Sequence, residues 1–258
     1  MVNLKKYNRV LKLFVIFLTV FLIISCAKTY YTTRIEAKRI PVSNIYSQTQ
    51  EIEKYIAPYR ENIDKDMNTV LAYCPETLDK SSGKWQTIIG NLMADVCLSR
   101  GNLVFNSREK KQIDMCVLNH GGIRSILPKG NVTTRTAFEI MPFENSLVVV
   151  ALKGETVMEL IDYFIKTQKP HPLSGITFVI DTTNQPKDIK IQGNAFDYNK
   201  VYYVATNDYL SNGGDGMTFF QKGIQTYDVN YKLRNILIDY FKEIDTVAVP
   251  RDSRVIVE

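Results

Sequence analysis

Apolar side chains recur along this chain at two spacings, which predict a series of helices and strands. Positions three and four residues apart share one face of a helix, and this spacing predicts helices at residues 51–67, 86–98, 154–165 and 233–241. Asp228 or Asn230 is the candidate N-cap of the last helix. Short apolar runs predict strands at residues 113–118, 147–152, 176–180, 187–191, 201–206 and 254–257. The order of these elements predicts an α+β fold, a single mixed α/β domain with layered sheets and helices.

The first residues have the pattern of a targeting segment rather than of a folded domain. Basic residues precede an apolar run at residues 13–24, which is too short for a stable membrane-spanning helix. A secretory signal peptide fits this pattern, and Cys26 at its end resembles a bacterial lipoprotein cleavage site. The alternative is an uncleaved anchor with an incidental cysteine. The expected organisation is a signal peptide over residues 1–25, a tether over residues 26–50 and a folded domain over residues 51–258.

Lipid modification of Cys26 would place the mature protein outside the cytoplasm. Ala27 follows Cys26, and the absence of aspartate there resembles the sorting pattern of outer-membrane lipoproteins. We therefore expect a protein of the bacterial cell envelope, held at the outer membrane through its N-terminal lipid.

Charge and cysteine content argue against a nucleic-acid-binding protein and against a metal site built from cysteines. The formal net charge is +5, but the basic residues of the folded part are scattered singly, so no nucleic-acid partner is expected. Cys74, Cys97 and Cys116 lack the spacing of metal ligands. Cys97 and Cys116 lie in apolar runs and are predicted to be buried thiols.

Three polar segments are candidates for a small-molecule pocket. Residues 119–124 (Asn-His-Gly-Gly-Ile-Arg) and 207–216 each follow a predicted strand, and their glycines allow close approach of backbone to a ligand. Arg124 presents a planar fork suited to an oxyanion, or alternatively holds a loop carbonyl. Between them, residues 141–145 place Phe143 where it can stack on a base, although such a residue often belongs to the core. Asp215 is either a ligand acceptor or the capping residue of a turn.

Together these segments resemble the C-terminal domain of the 5′-nucleotidase family. Lesser matches in the same order are Gly90-Asn91-Leu92, Leu152-Lys153-Gly154 and Ser174-Gly175-Ile176. The resemblance covers residues 65–257 and implies that family's fold, with a nucleoside or nucleoside monophosphate as ligand.

The resemblance also implies a role for individual residues. Phe143 and Tyr209 match two aromatics that sandwich the base, and Asn145 matches a residue at the base edge. Asp215 matches a ribose-binding carboxylate, whereas Asn119 and Arg124 match residues that face the sugar and phosphate. The implied substrate-binding set is Asn119, Gly122, Arg124, Phe143, Asn145, Gly175, Tyr209 and Asp215.

Two departures from the family pattern change the expected function. A second phosphate-binding arginine of the family is replaced by Gly83, with only Lys80 and Lys84 nearby. Hydrolytic members also have an N-terminal two-metal domain, whereas His120 and His171 are the only histidines here and are predicted to be loop residues. We therefore expect no cofactor in this chain, and divalent metals on a separate metallophosphoesterase chain.

On this interpretation the protein is the nucleotide-recognition component of a 5′-nucleotidase-type phosphoesterase. The alternatives are an envelope lipoprotein that binds nucleosides without catalysis, and a structural remnant of the fold.

Overall fold

The structure is a computed structural model that describes residues 4–24, 30–41, 43 and 49–258. The chain divides into two units, residues 1–53 and 54–258. Helix α1 (Leu4–Ile24) belongs to the first unit. Of the helices described, none is both long enough and apolar enough to cross a membrane. The predicted lipidation site, Cys26, lies outside the described residues.

In the described part of the chain, the remaining elements are six α-helices and eleven strands, and five of the strands, β5 to β9, follow one another directly. The helices are α2 (Gln50–Met67), α3 (Ile88–Glu109), α4 (Thr134–Ile140), α5 (Gly154–Thr167), α6 (Asp208–Ser211) and α7 (Leu233–Lys242). The strands are β1 (Val70–Cys74), β2 (Met115–Val117), β3 (Gly130–Thr133), β4 (Ser146–Lys153), β5 (Leu173–Ser174), β6 (Ile176–Ile180), β7 (Pro186–Ile191), β8 (Asn194–Ala195), β9 (Val201–Asn207), β10 (Gln225–Lys232) and β11 (Val255–Val257).

A five-stranded mixed sheet in the order β10-β4-β9-β2-β5 forms the centre of the second unit. Strand β9 runs parallel to β2, and β4 runs antiparallel to β9. A four-stranded sheet (β11-β6-β7-β8) and a two-stranded sheet (β1-β3) complete the β structure. The mixed α/β fold predicted from the sequence is confirmed.

The central sheet is buried on both faces. Along β4, Leu147 and Val149 belong to one core cluster, which includes the buried faces of α3 and α7. Val148 and Val150 belong to the other cluster, which includes α5 and β6. Successive side chains of a strand point to opposite faces, so the continuous apolar run of β4 places the sheet between two layers. Full burial of each such side chain contributes roughly 1.5–3 kcal/mol.

Most predicted elements are present, and their differences have local causes. Helix α3 continues past residue 98 because Phe105 extends its buried face, and it ends where Lys110 adopts a left-handed conformation with φ of 56°. The predicted capping of α7 by Asp228 or Asn230 is wrong. Both residues lie in β10, and α7 follows Lys232 with no side-chain cap. Asp228 instead accepts a hydrogen bond from the backbone N–H of Asn230.

Candidate functional site

Strand direction brings three polar segments to one edge of the central sheet. Because β2 and β9 are parallel, both end at this edge. Asn119 lies just after the end of β2, and Asn207 is the last residue of β9. Strand β4 is antiparallel to β9 and pairs Leu147 with Asn207. The residues just before β4 therefore lie at the same edge, and the site forms from loops that are far apart in sequence.

The first segment, residues 119–124, forms a single 3₁₀ turn after β2. His120–Gly122 make the turn, and the Gly122 N–H donates to the Asn119 carbonyl at 3.0 Å. The Arg124 N–H donates to the carbonyl of Ile140 at 2.9 Å, which fixes the end of the turn. The Arg124 side chain contacts the Gly121 carbonyl at 3.3 Å and lies over the Phe143 ring at 5.8 Å.

The second segment, residues 207–216, places Asp215 beside the first. Asp215 has φ of 53°, in the left-handed region, which aspartate tolerates better than most residues. Its Oδ2 accepts from Asn119 Nδ2 at 2.8 Å, and its Oδ1 accepts from the Tyr209 hydroxyl at 3.0 Å. The Tyr209 ring lies directly on Gly214, where an added Cβ would be 2.5 Å from the ring. Glycine is therefore required at position 214.

The third segment, residues 141–145, is held by the start of α7. The Leu233 N–H donates to the Asn145 carbonyl at 3.0 Å, and Arg234 donates to the Pro142 carbonyl at 3.2 Å. Arg234 also forms an ion pair with Glu144 and holds the pKa of that carboxyl below its ordinary value. Phe143 lies between these anchored residues, so its backbone position is determined by α7.

The three segments enclose a cavity of about 600 Å³, within the range of small-molecule sites. It is lined by Asn119, Gly121, Gly122, Arg124, Phe143, Glu144, Asn145, Tyr209 and Asp215. The rings of Phe143 and Tyr209 are 43% and 47% exposed, so both are open to a ligand. Asn145 donates its Nδ2 to Asp208 at 2.9 Å, which leaves its amide oxygen as an acceptor.

The cavity lining carries groups of both charge signs. Asp215 supplies carboxylate oxygens, and each keeps a lone pair beyond its present hydrogen bond. Arg124 and Lys80 provide positive charge near the 3₁₀ turn, where Lys80 Nζ donates to the Ile123 carbonyl. Within the described part of the chain, neither cation is paired with a carboxylate. A ligand that carries both hydroxyl groups and an anionic group fits this arrangement.

Seven of the eight residues predicted to bind substrate line this cavity; Gly175 does not. It lies between β5 and β6, with φ of 79° and close contact to the carbonyl of Asp114. Since β5 is antiparallel to β2, this position is at the opposite end of β2 from Asn119. The structure therefore does not bring Gly175 to this cavity, and its expected place at a base pocket stays a prediction.

Sequence reasoning missed several residues behind the cavity. Tyr163 donates its hydroxyl to the Asp215 carbonyl at 2.8 Å. His171 accepts a hydrogen bond from the His120 N–H at 3.2 Å. His171 does lie in a loop, as predicted, but it is 2% exposed, and burial lowers the pKa of its imidazole to about 4. Only the Pro-His-Pro setting marked it in the sequence, and no pattern marked Tyr163.

The described residues do not fit a metal centre. Over this part of the chain, no group of three or more His, Cys, Asp or Glu side chains is placed to hold a metal ion. Cys74, Cys97 and Cys116 are free and buried, which confirms the predicted burial of Cys97 and Cys116. Burial raises the pKa of the Cys116 thiol.

Comparison with known proteins agrees with this fold. The family model described as the 5′-nucleotidase C-terminal domain matches residues 70–222, more than half of the chain. The trifunctional nucleotide phosphoesterase protein YfkN of Bacillus subtilis is 23% identical over 229 residues, covering 82% of this chain and 15% of that protein. Human 5′-nucleotidase is 24% identical over 187 residues, covering 65% of this chain and 33% of that protein.

Two solved structures share the fold at low identity. A 5′-nucleotidase precursor from Thermus thermophilus superimposes with a TM-score of 0.64 at 23% identity, covering 81% of this chain and 43% of that one. The NAD nucleotidase of Haemophilus influenzae gives a TM-score of 0.64 at 18% identity, covering 81% and 41%. This chain thus spans less than half the length of these relatives.

Proposed function

The chain belongs to the 5′-nucleotidase C-terminal domain family, and from this premise we propose that it recognises nucleoside monophosphates. The observation that supports this most directly is the convergence of Phe143, Tyr209 and Asp215 on one cavity. Two exposed aromatic rings offer stacking surfaces for a base, which contribute roughly 1–3 kcal/mol per base. Asp215 is proposed to accept hydrogen bonds from ribose hydroxyls, and Asn145 to accept one at the base edge.

The phosphate is proposed to lie beside Arg124. Arg124 is the family-matched residue there, and its one side-chain hydrogen bond, to the Gly121 carbonyl, leaves most of its donors open to a ligand. Lys80 is proposed as a second cation, because its Nζ is already held at the Ile123 carbonyl beside the turn. A lysine supplies a point charge without a bidentate fork. Its contact with a phosphate is therefore less directional than that of an arginine.

Calorimetric titration of the purified protein with AMP and with adenosine tests this proposal. We expect Phe143→Ala to weaken binding of both ligands about tenfold or more, because stacking is lost. Lys80→Ala is expected to weaken the binding of AMP by about tenfold and to leave the binding of adenosine unchanged, because only AMP carries the phosphate. Tyr198→Ala and Lys190→Ala serve as controls, since both remove exposed side chains outside the cavity.

The titration also separates the alternatives. Binding of adenosine alone, unaffected by Lys80→Ala, would favour a nucleoside-binding protein. No binding of either compound, nor of guanine and pyrimidine analogues, would contradict the proposal and leave a structural remnant of the fold.

We further propose that hydrolysis requires divalent metals on a separate metallophosphoesterase chain. Support comes from the misfit between the described residues and a metal centre. No reaction step is assigned to this chain; its residues bind and orient the nucleotide. We also propose that Cys26 carries a lipid that anchors the protein at the outer membrane of a bacterial cell envelope.

A further inference from the structure

A buried histidine, His171, lies behind the cavity. It contacts His120 of the first glycine-containing segment directly, and it contacts Tyr163, which is hydrogen-bonded to the second segment. His171 follows α5, and its ring packs against Tyr163 and Phe164 with centroid distances of 5.7 and 5.3 Å. It does not line the cavity and is 2% exposed. A direct contact with a bound ligand is therefore excluded, and any effect on binding must pass through other residues.

On one side His171 holds the end of β2. Its Nδ1 accepts the backbone N–H of His120 at 3.2 Å, and the neighbouring Pro172 carbonyl accepts the N–H of Leu118 at 3.0 Å. These two bonds flank Asn119 and fix the backbone from which its side chain reaches Asp215. Because a backbone N–H is always the donor, Nδ1 must be unprotonated, and the imidazole proton lies on Nε2.

On the other side His171 supports Tyr163, whose hydroxyl donates to the Asp215 carbonyl at 2.8 Å. Asp215 has a left-handed backbone conformation, so this bond restrains a residue whose local geometry is unfavourable for most side chains. The contacts from His120 through His171 and Tyr163 to Asp215 thus connect the two segments behind the cavity. The Asn119–Asp215 hydrogen bond connects them again at its surface.

Stability alone does not explain a histidine at this position. Its Nε2 is buried and has no hydrogen-bond partner within the described residues, and a buried polar atom without a partner is unfavourable. An apolar side chain of similar size would avoid that cost, but it would leave the His120 N–H without its acceptor. The charged or titratable groups that influence it are Asp215, which favours its protonation, and His120 and Lys169, which oppose it.

We propose that His171 is a positioning residue: its Nδ1 fixes the backbone beside Asn119, and its ring fixes Tyr163, so that Asn119 and Asp215 keep a constant separation. The effect of His171 on ligand affinity rests on the proposed nucleotide-binding function. Its effect on the backbone of the two segments is independent of that function and can be measured without ligand.

The test compares His171→Leu with His171→Asn. Leucine removes the acceptor and keeps apolar volume, whereas the side-chain oxygen of asparagine can take the place of Nδ1. In the ligand-free protein we expect His171→Leu to increase hydrogen–deuterium exchange of residues 119–124 and 207–216 by about tenfold, with β7 unchanged as an internal control. We expect AMP affinity to fall about tenfold at an unchanged or higher Tm. His171→Asn is expected to restore both properties to within about threefold.

Three outcomes would overturn the proposal: unchanged exchange in both segments, increased exchange with unaltered AMP affinity, or an asparagine variant as defective as the leucine variant. If the wild-type protein binds no AMP, the nucleotide-binding function fails, and the exchange data alone decide the positioning role. If His171→Leu does not fold, Tyr163→Phe replaces it. That variant loses only the bond to the Asp215 carbonyl and should increase exchange in residues 207–216 alone.

Discussion

Burial keeps the imidazole of His171 uncharged, and this makes the stability of the folded protein depend on pH. Its pKa is lowered from 6.5 to about 4, mainly by desolvation. The unfolded chain therefore binds more protons than the folded protein between these values. Above pH 6.5 His171 is uncharged in both states and does not lower the free energy of unfolding. As the pH falls from 6.5 toward 4, protonation of His171 in the unfolded chain lowers the free energy of unfolding.

This difference predicts a measurable loss of stability in mild acid. Each unit of pKa difference corresponds to about 1.4 kcal/mol, so lowering the pH from 7 to 5 should reduce the free energy of unfolding by about 2 kcal/mol through His171. Urea unfolding of the wild type and of His171→Leu at both pH values isolates this contribution. The pKa of His120 is lowered in the same direction, but His120 is present in both proteins. Equal losses in both would contradict the assignment.

The residues of the cavity differ in how far sequence could identify them. Asn119, Phe143 and Asp215 lie in short segments that combine glycine, aromatic and polar side chains, and such local combinations are readable in one chain. Lys80 and Tyr163 act through contacts 43 and 52 residues away, which no local pattern records. Gly175 lies outside the cavity, and its positive φ and its contact with Asp114 are reasons for a glycine there that need no ligand.

At the scale of elements, one buried arginine joins the last strand to the rest of the fold. Arg254 is 5% exposed and precedes β11. Its guanidinium pairs with Asp95 of α3 at 2.6 Å and with Asp252 at 2.9 Å, and it also donates to the Leu173 carbonyl. Three elements thus depend on one side chain whose planar fork a lysine cannot replace.

Removing this side chain should therefore destabilise the protein strongly. We expect Arg254→Ala to lower the free energy of unfolding by about 3 kcal/mol, because buried acceptors and a carboxylate lose their partner. The matched control is Arg251→Ala, since Arg251 forms an ion pair with Glu76 but its side chain is 67% exposed. The control should change stability by no more than about 0.5 kcal/mol. Urea unfolding of both variants measures the difference, and similar values would show that Arg254 is dispensable.

Hydrophobic patterns predicted elements well where one spacing extends over several residues. Strand β4 is apolar at nearly every position and β6 matches its predicted bounds. Strand β10 was missed because it lies at the edge of its sheet, is mostly polar and has only one buried residue, Val229. Helix α2 is present as predicted, but its apolar residues Ile52, Tyr55 and Tyr59 are at least 58% exposed. Periodicity identified this helix without indicating which surface its apolar face contacts.

At the scale of the whole molecule, recognition and hydrolysis make different demands on the chain. The cavity is lined by two aromatic rings, Asp215 and Arg124, and Lys80 is held beside its 3₁₀ turn; these groups are proposed to bind and orient a nucleotide. Phosphoester hydrolysis by two metals needs a cluster of ligands that clamps the attacking and leaving oxygens, and the described residues hold no such cluster. The proposed division of labour follows from this contrast.

This division predicts that catalytic activity depends on a complex. We expect the purified chain, supplied with AMP and Mn²⁺ or Zn²⁺, to release no phosphate above the protein-free rate. The full chain, tagged and purified in detergent from its own cells, should retain a metallophosphoesterase subunit and release phosphate in a reaction that a chelator abolishes. The Phe143→Ala protein provides the control: it should retain the same subunit but hydrolyse AMP at least about tenfold more slowly at limiting substrate, because base stacking is lost. Hydrolysis by the isolated chain would place the metal site within it, whereas a complex equally active with Phe143→Ala would separate catalysis from this cavity.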